Sequence, residues 1–415
     1  MKKLWYSLLT CLCFSSVSYA EKLDVILRHA LVSDPSLDEA RANLAAAHSQ
    51  TKISEAGHYP VVSLSNTSMI SQQHKYNSER RSGPVVNGKL NLYAWGAIEA
   101  EIERDEHKAG FYHHKLMETR EVVGQKIAQL YLAALRAKEN IVIYKESLAR
   151  HNQLVKDLQV IVSYDEGREF EVNEAMSRKN QVESTIAEQE RILYTSLSQL
   201  TRYFPRGMTE QSLTDPFPEK NVEAFLKKYL SKDISTNPTF LAQQKEFESS
   251  KAALKASEAR RLPAINLEGS ASRHEREIYV GVVWDIYNPA AKYTVEQNYH
   301  SQAAADAKLR EIELDVVEKG RTAEVEMLRN KSLLTLAAKQ IAAQRKVVKD
   351  TELQFEIATK SLLNLLDAYQ ELTQVQATEV AARNNYRDAA LLYLVSQAKV
   401  AQWAGIPVLN LTDKK

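Results

Sequence analysis

His107, His113 and His114 form the only close histidine group in the chain. On a helix His107 and His114 stand two turns apart, about 10 Å, which is too far for one metal ion. The group reads as part of a solvated helix face. Gly83-x4-Gly88-Lys89 has the outline of a phosphate loop, but Leu90 stands where a Ser or Thr must reach Mg²⁺. A strand pattern follows it, where a phosphate loop opens a helix. No nucleophile elbow, HExxH pair or dinucleotide fingerprint occurs. Both cysteines, Cys11 and Cys13, fall within the first twenty residues, so the remainder has neither disulfides nor thiolate metal sites. The chemistry-bearing residues predict no enzyme, no cofactor and no metal.

Function must then come from architecture. The 415 residues carry 54 Lys+Arg against 53 Asp+Glu, and a net charge of +1 gives no reason to expect nucleic acid as a partner. Only 12 Gly and 10 Pro are present, too few for a turn-rich all-β protein. The mean hydropathy is −0.39, and no apolar run after the first twenty residues approaches the roughly 18 needed for a membrane helix. Residues 1–20 have Lys2 and Lys3, an apolar stretch from Leu4 to Val17, then Ser18-Tyr19-Ala20. That is the pattern of a secretory signal cleaved after Ala20. Lipid processing at Cys11 would leave a very short apolar core.

The chain repeats itself. Ser33-Asp34-Pro35-Ser36-Leu37 returns as Thr236-Asn237-Pro238-Thr239-Phe240, 203 positions later. Each copy offers a capping side chain with proline just inside, a helix start. Each helix stops before a proline, at Tyr59-Pro60 and Leu262-Pro263, because the residue preceding proline is forced extended. The period then changes to alternation. Val62 and Leu64 oppose Ser63 and Ser65; Val86, Gly88, Leu90 and Leu92 oppose Asn87, Lys89 and Asn91. Ile265, Leu267, Gly269 and Ala271 oppose Asn266, Glu268 and Ser270; Ile278, Val280, Val282, Trp284 and Ile286 oppose Tyr279, Gly281 and Asp285. Four amphipathic strands are predicted, at about 61–70, 84–93, 264–272 and 278–287. Their length and pattern suit a transmembrane barrel.

Each strand pair leads into a long proline-free segment, about 97–164 and 290–357, or about 100 Å of helix. A seven-residue ladder marks each as a coiled-coil-like seam: Ala134, Ile141, Leu148, Val155, Val162, and Met327, Leu334, Ile341, Val348, Phe355. Return helices are predicted at about 172–203 and 362–403. The expected organisation is a signal peptide (1–20), a first repeat (21–204), a looser equatorial segment (205–235), a second repeat (236–405) and a tail (406–415). Four strands cannot close a barrel, since single-chain bacterial barrels begin at eight. Three subunits would supply twelve strands. Ser71 to Gly83 and Ser272 to Glu277 would be external loops, and Trp95 and Trp284 fall at strand ends, at the level of an aromatic belt or of a packed barrel-to-helix junction.

Duplicated helix–strand–strand–long helix–helix halves, with Asp-Pro and Asn-Pro openings and Tyr-Pro and Leu-Pro helix ends, resemble the TolC-like outer-membrane factor family over nearly all of the mature chain. The resemblance implies a mainly α fold with a small β part. A homotrimer would form a 12-stranded outer-membrane β-barrel on a long periplasmic α-helical barrel, embedded in outer-membrane lipid of a Gram-negative bacterium. Its partners would be a periplasmic adaptor (membrane fusion) protein and an inner-membrane transporter, ABC or proton-driven. Phe355-x-x-Ala358-Thr359-Lys360-Ser361-Leu362-Leu363-Asn364-Leu365-Leu366-Asp367-Ala368 is similar to the family's periplasmic tip. The resemblance places Asp367 and Asn364 at the two positions that ring the entrance, one of the two uncharged here. Phe355 stands where the family has a latching tyrosine. In the first half Tyr164-x-x-Gly167 matches the turn, and Glu171 and Asn173 are latch candidates in a register shifted by two residues.

The function expected is a passive channel-tunnel of a tripartite export system. Type I secretion of a protein such as a large adhesin is favoured over small-molecule or multidrug efflux. The chain stops soon after Trp403-Ala404-Gly405-Ile406, and it has no lipidation site of the kind many drug-efflux members carry. The alternative of another class is a periplasmic coiled-coil adaptor or structural protein without a pore. Such adaptors have one helical hairpin, against two here.

Overall fold

The computed structural model describes residues 22–68, 83–205, 207–218, 221–231, 233–273 and 275–406. The expected signal peptide, most of the first expected external loop and the residues beyond 406 lie outside them. In chain order the elements are α1 (Leu23–Ser33), α2 (Pro35–Glu55), β1 (Val61–Thr67), β2 (Gly83–Tyr93), α3 (Ala97–Val162), α4 (Glu169–Leu200) and α5 (Val222–Tyr229). Then follow α6 (Pro238–Ala259), β3 (Ala264–Ser272), β4 (Arg276–Val283), α7 (Pro289–Glu356), α8 (Leu362–Ser396) and α9 (Val400–Trp403). The chain divides into two compact units, one of residues up to Ala30 with Ile127–Lys220 and Asn330–Asp388, the other of Leu31–Lys126, Asn221–Arg329 and the residues from Ala389.

In the second unit the duplicated Pro-containing sites open helices by the same chemistry. Asp34 accepts from the Ser36 N–H at 2.8 Å with Pro35 in the first turn of α2. Asn237 accepts from the Thr239 N–H at 2.9 Å with Pro238 in the first turn of α6. Asn237 does a second job, donating from Nδ2 to Ser396 O at 3.0 Å.

The four strands form one antiparallel sheet in the order β1-β2-β3-β4, joined across the repeat by β2 and β3. Register decides what each face carries, because directly opposed residues share a face. Val62 opposes Gly88, Gly88 opposes Gly269, and Gly269 opposes Ile278. Leu64, Val86 and Ala271 make a second row, and Leu90, Leu267 and Val280 a third. The apolar residues of all four strands therefore fall on one face, where Leu64 is 74% and Ile278 82% exposed. The other face carries Ser63, Asn87, Lys89, Asn91, Asn266, Glu268, Ser270, Glu277 and Tyr279. β4 ends at Val283 rather than at 287, so Trp284 lies just beyond the strand.

The first unit is a layer of long helices. Its buried centre joins Leu154, Val155 and Leu158 of α3, Ala175 of α4, Val348 of α7 and Leu362, Leu365, Leu366, Tyr369 and Leu372 of α8. In this unit the seven-residue ladders point inward: Ala134, Ile141, Val155, Leu334 and Val348 are buried, and Leu148, Val162, Ile341 and Phe355 half-buried; Met327, in the other unit, is buried there. The second return helix is not continuous to 403. Ala398 sits at φ 52 and breaks it between α8 and α9. Left-handed backbone at a residue with a Cβ stops a helix sharply.

Candidate functional site

The helical turns that carry the expected tip residues all lie in the first unit. At the α7–α8 turn Ala358 takes φ 57, and the Thr359 and Lys360 N–H groups donate to Gln354 O at 2.8 and 3.2 Å. Both bonds end on one carbonyl of the last turn of α7, in the manner of a Schellman-type cap. Ser361 and Asn364 then form a reciprocal cap at the start of α8. The Ser361 N–H and hydroxyl donate to Asn364 Oδ1 at 3.2 and 2.9 Å, and the Asn364 N–H donates to Ser361 Oγ at 3.5 Å. This is the geometry of a capping box with Asn in the usual Glu/Gln place. Asn364 thus has a local partner. Asp367, one turn on, is exposed and, among the described residues, has no hydrogen bond or ion pair.

The first-half turn is built differently. Asp165 accepts from the Gly167 N–H at 3.2 Å, and Tyr164 projects with 89% exposure. Arg168 grips Glu171 with two hydrogen bonds, Nε to Oε1 at 3.1 Å and Nη2 to Oε2 at 2.6 Å. Both latch candidates are therefore placed: Glu171 holds an arginine of its own turn, and Asn173 is exposed. Between the two turns lies a cleft of about 780 Å³ whose walls include Asp157, Arg168, Glu171, Glu352, Phe355 and Lys360. Phe355 packs on the apolar centre rather than presenting a polar tip. The hydroxyl in this region belongs to Tyr369, which donates to Glu352 Oε1 at 2.8 Å. Burial, reinforced by the Glu352 carboxylate, pushes the Tyr369 phenol well above the ordinary tyrosine range. His151 stacks edge-on against Tyr369, and burial lowers its pKa, with Arg150 and Arg178 adding to the effect.

Sequence reasoning missed the polar network that ties the connecting segment to the helices of this unit. Arg387 is 1% exposed and reaches Glu139 through Nη1 and Nη2 at 2.8 Å each, and Asp215 through Nη2 at 2.8 Å. Burial works against its charge, but the hydrogen bonds to the two carboxylates win and raise its pKa. Nearby, Tyr131 OH exchanges hydrogen bonds with Thr214 O and N at 2.9 and 2.8 Å, and Lys138 Nζ donates to Glu210 O and Leu213 O. The one legible signal was Arg387 set among Ala382, Tyr386, Ala389 and Ala390.

The tryptophans lie in the other unit. Trp95, at φ 55, donates from Nε1 to Pro263 O at 2.6 Å, and Trp284 donates to Arg261 O at 3.2 Å. The two residues remain 46% and 56% exposed. Among the described residues no group of His, Cys, Asp or Glu could hold a metal ion, and no helix is long and apolar enough to cross a membrane.

The chain combines a four-stranded sheet that has one largely apolar, exposed face, interrupted by Asn66 and Arg276, with long helical hairpins. Solved structures share this fold. The outer-membrane channel OprN matches at 17% identity, with 91% of this chain and 89% of that one covered and a TM-score of 0.75. The outer membrane protein VceC of Vibrio cholerae matches at 13% identity, covering 91% and 96%, with a TM-score of 0.75. The CmeC outer membrane channel of Campylobacter jejuni matches at 12% identity, covering 91% and 85%, with a TM-score of 0.76. No curated protein matches the sequence. The sequence profile of the outer membrane efflux protein family matches residues 26–203, less than half of the chain. The second half carries the same elements in the same order. The chain thus shares the fold of these outer-membrane channels over nine-tenths of its length.

Proposed function

We propose that three copies of this chain close one twelve-stranded barrel and form the passive outer-membrane conduit of a tripartite exporter. Its partners are a periplasmic adaptor and an inner-membrane transporter. The observation that carries this reading is the sheet itself. All four strands place apolar side chains on one exposed face, and among the described residues β1 and β4 leave their outer edges unpaired. In lipid each unsatisfied edge group costs several kcal/mol, so the edges must meet those of other copies. With this closure the polar face lines the lumen. Trp95 and Trp284 then lie at the inner membrane interface, their indole N–H groups already bonded and their rings free for lipid.

At the periplasmic entrance three Asp367 carboxylates face one narrow axis, where their combined negative charge attracts cations. The exposure of Asp367 and the engagement of Asn364 in its cap support one charged ring in place of two. Tyr164, Gly167, Glu171 and Asn173 from the first half, with Phe355, Ala358, Thr359 and Lys360 from the second, form the tip turns that the transporter complex must open. The cargo we infer is a polypeptide delivered by an ABC transporter of type I secretion; the family's efflux description favours small molecules as the second reading.

Crosslinking in cells, followed by purification of this protein, tests both levels. Recovery with an adaptor and an ABC transporter of the peptide-exporting kind supports the proposal, whereas a proton-driven drug transporter overturns the cargo. Recovery from the soluble periplasm, or a protein that never conducts in planar bilayers, overturns the conduit.

A further inference from the structure

One cross-strand row on the polar face of the sheet is charged. Register aligns Val61, Lys89, Glu268 and Tyr279 across all four strands. Lys89 Nζ lies 3.2 Å from Glu268 Oε1, and Tyr279 OH donates to Glu268 Oε2 at 2.9 Å. Each oxygen of the carboxylate is thus occupied, one by a cation and one by a phenol. The row lines a concave patch with Ser63, Asn87, Ser270 and Glu277. One pair nearer the helices, Asn91 Nδ2 donates to Asn266 Oδ1 at 3.1 Å, a neutral contact. Among the described strand residues the polar face therefore carries one cation, Lys89, and two carboxylates, Glu268 and Glu277.

From this row we infer that the Lys89–Glu268 pair tunes the ion selectivity of the barrel lumen, holding its own row neutral where an unpaired residue would add a charge. The inference rests on the conduit reading above, which puts this face in the lumen. A fixed charge in a water-filled pore acts over a Debye length, about 10 Å at 0.1 M salt. Opposite charges 3.2 Å apart cancel well within that distance. Lys89 is itself 60% exposed on its side chain, so its main effect is on the field in the lumen rather than on stability. Removing it leaves Glu268 and Glu277 uncompensated in every copy around the barrel, and a ring of carboxylates concentrates cations. Removing Glu268 does the reverse. Removing both restores the original sum.

The test uses the full-length protein in planar bilayers under a KCl gradient at low ionic strength, read as the ratio of potassium to chloride permeability. Lys89→Gln should raise that ratio about twofold and Glu268→Gln lower it about twofold, while the double variant returns it to the wild-type value. Tyr279→Phe, which keeps every charge, should leave it unchanged. Single variants that conduct with the wild-type ratio overturn the proposal, as does an equal shift from Tyr279→Phe, since geometry rather than charge would then set the ratio. A wild-type protein that inserts into the bilayer but never conducts overturns the conduit reading itself, a separate result.

Discussion

Replacing Arg387 by Met removes three charge-assisted hydrogen bonds at once, leaving Asp215 without its arginine and Glu139 with Asn384 at 3.1 Å and Arg383 at 3.8 Å. The side chain it replaces is 1% exposed, while those of Glu139 and Asp215 are 19% and 30% exposed. Breaking a fully buried ion pair by removing one partner costs about 3–5 kcal/mol. Because both carboxylates can reach some water, we expect about 2–4 kcal/mol here. Asp215 belongs to the segment joining the two halves, so the loss acts on the attachment of that segment to α3 and α8. At 1.4 kcal/mol per factor of ten, its locally open population rises roughly 30- to 700-fold. Limited proteolysis reads that population directly when opening is fast relative to cleavage. The assay is therefore the rate of cleavage within residues 205–235 of the full-length protein at low protease. Adding Glu139→Gln and Asp215→Asn removes the two carboxylate charges and should recover most of the loss. Cleavage of Arg387→Met at the wild-type rate, or a triple variant cleaved as fast as the single one, would refute the reasoning.

Three further outcomes are expected. Ala358→Gly relieves left-handed backbone at a residue with a Cβ, worth about 1–2 kcal/mol, less the extra chain entropy of glycine, for a net gain of about 0.5–1 kcal/mol; slower amide exchange at Thr359 and Lys360 would show it, and faster exchange would contradict it. Asp367→Asn should weaken divalent-cation block in single-channel recordings; unchanged block removes Asp367 from the constriction. His151 has a lowered folded pKa, so the fold prefers its neutral form. Its contribution is complete above about pH 6.5 and is lost as pH falls through the depressed folded value. The drop in melting temperature between about pH 7.5 and 5.0 should be smaller in His151→Gln than in wild type.

The halves, the strands and the helices were legible because each rests on a local rule. Proline after Asp34 and Asn237 starts a helix whatever surrounds it, and alternation in 264–272 and 278–283 makes a strand with one apolar face. The end of β4 and the interruption at 397–399 were not legible. Trp284 and Ile286 continue the alternating pattern past the point where Trp284 turns its N–H to Arg261 O, and nothing in Ala398 announces a positive φ. At the tip, the turn at Gly167 followed from its residue type, whereas the Ser361–Asn364 cap was hidden behind the expectation of a charged ring. Asn at that spacing serves either purpose, and only the orientation of its amide separates them.

What the sequence determined by itself is the periodicity: a duplicated helix–hairpin–helix pattern, amphipathic strands too few to close a barrel, and seams repeating every seven residues. These are properties of residues close together in the chain, where spacing alone sets the face. What only the tertiary structure decided is which distant residues meet. Lys89 and Glu268 are brought face to face by the pairing of β2 with β3, and Arg387 finds Glu139 and Asp215 because α3, α8 and the connecting segment converge. Such pairings depend on register between elements far apart in sequence, and a one-residue slip in the sheet would move Lys89 to the apolar face with every residue around it.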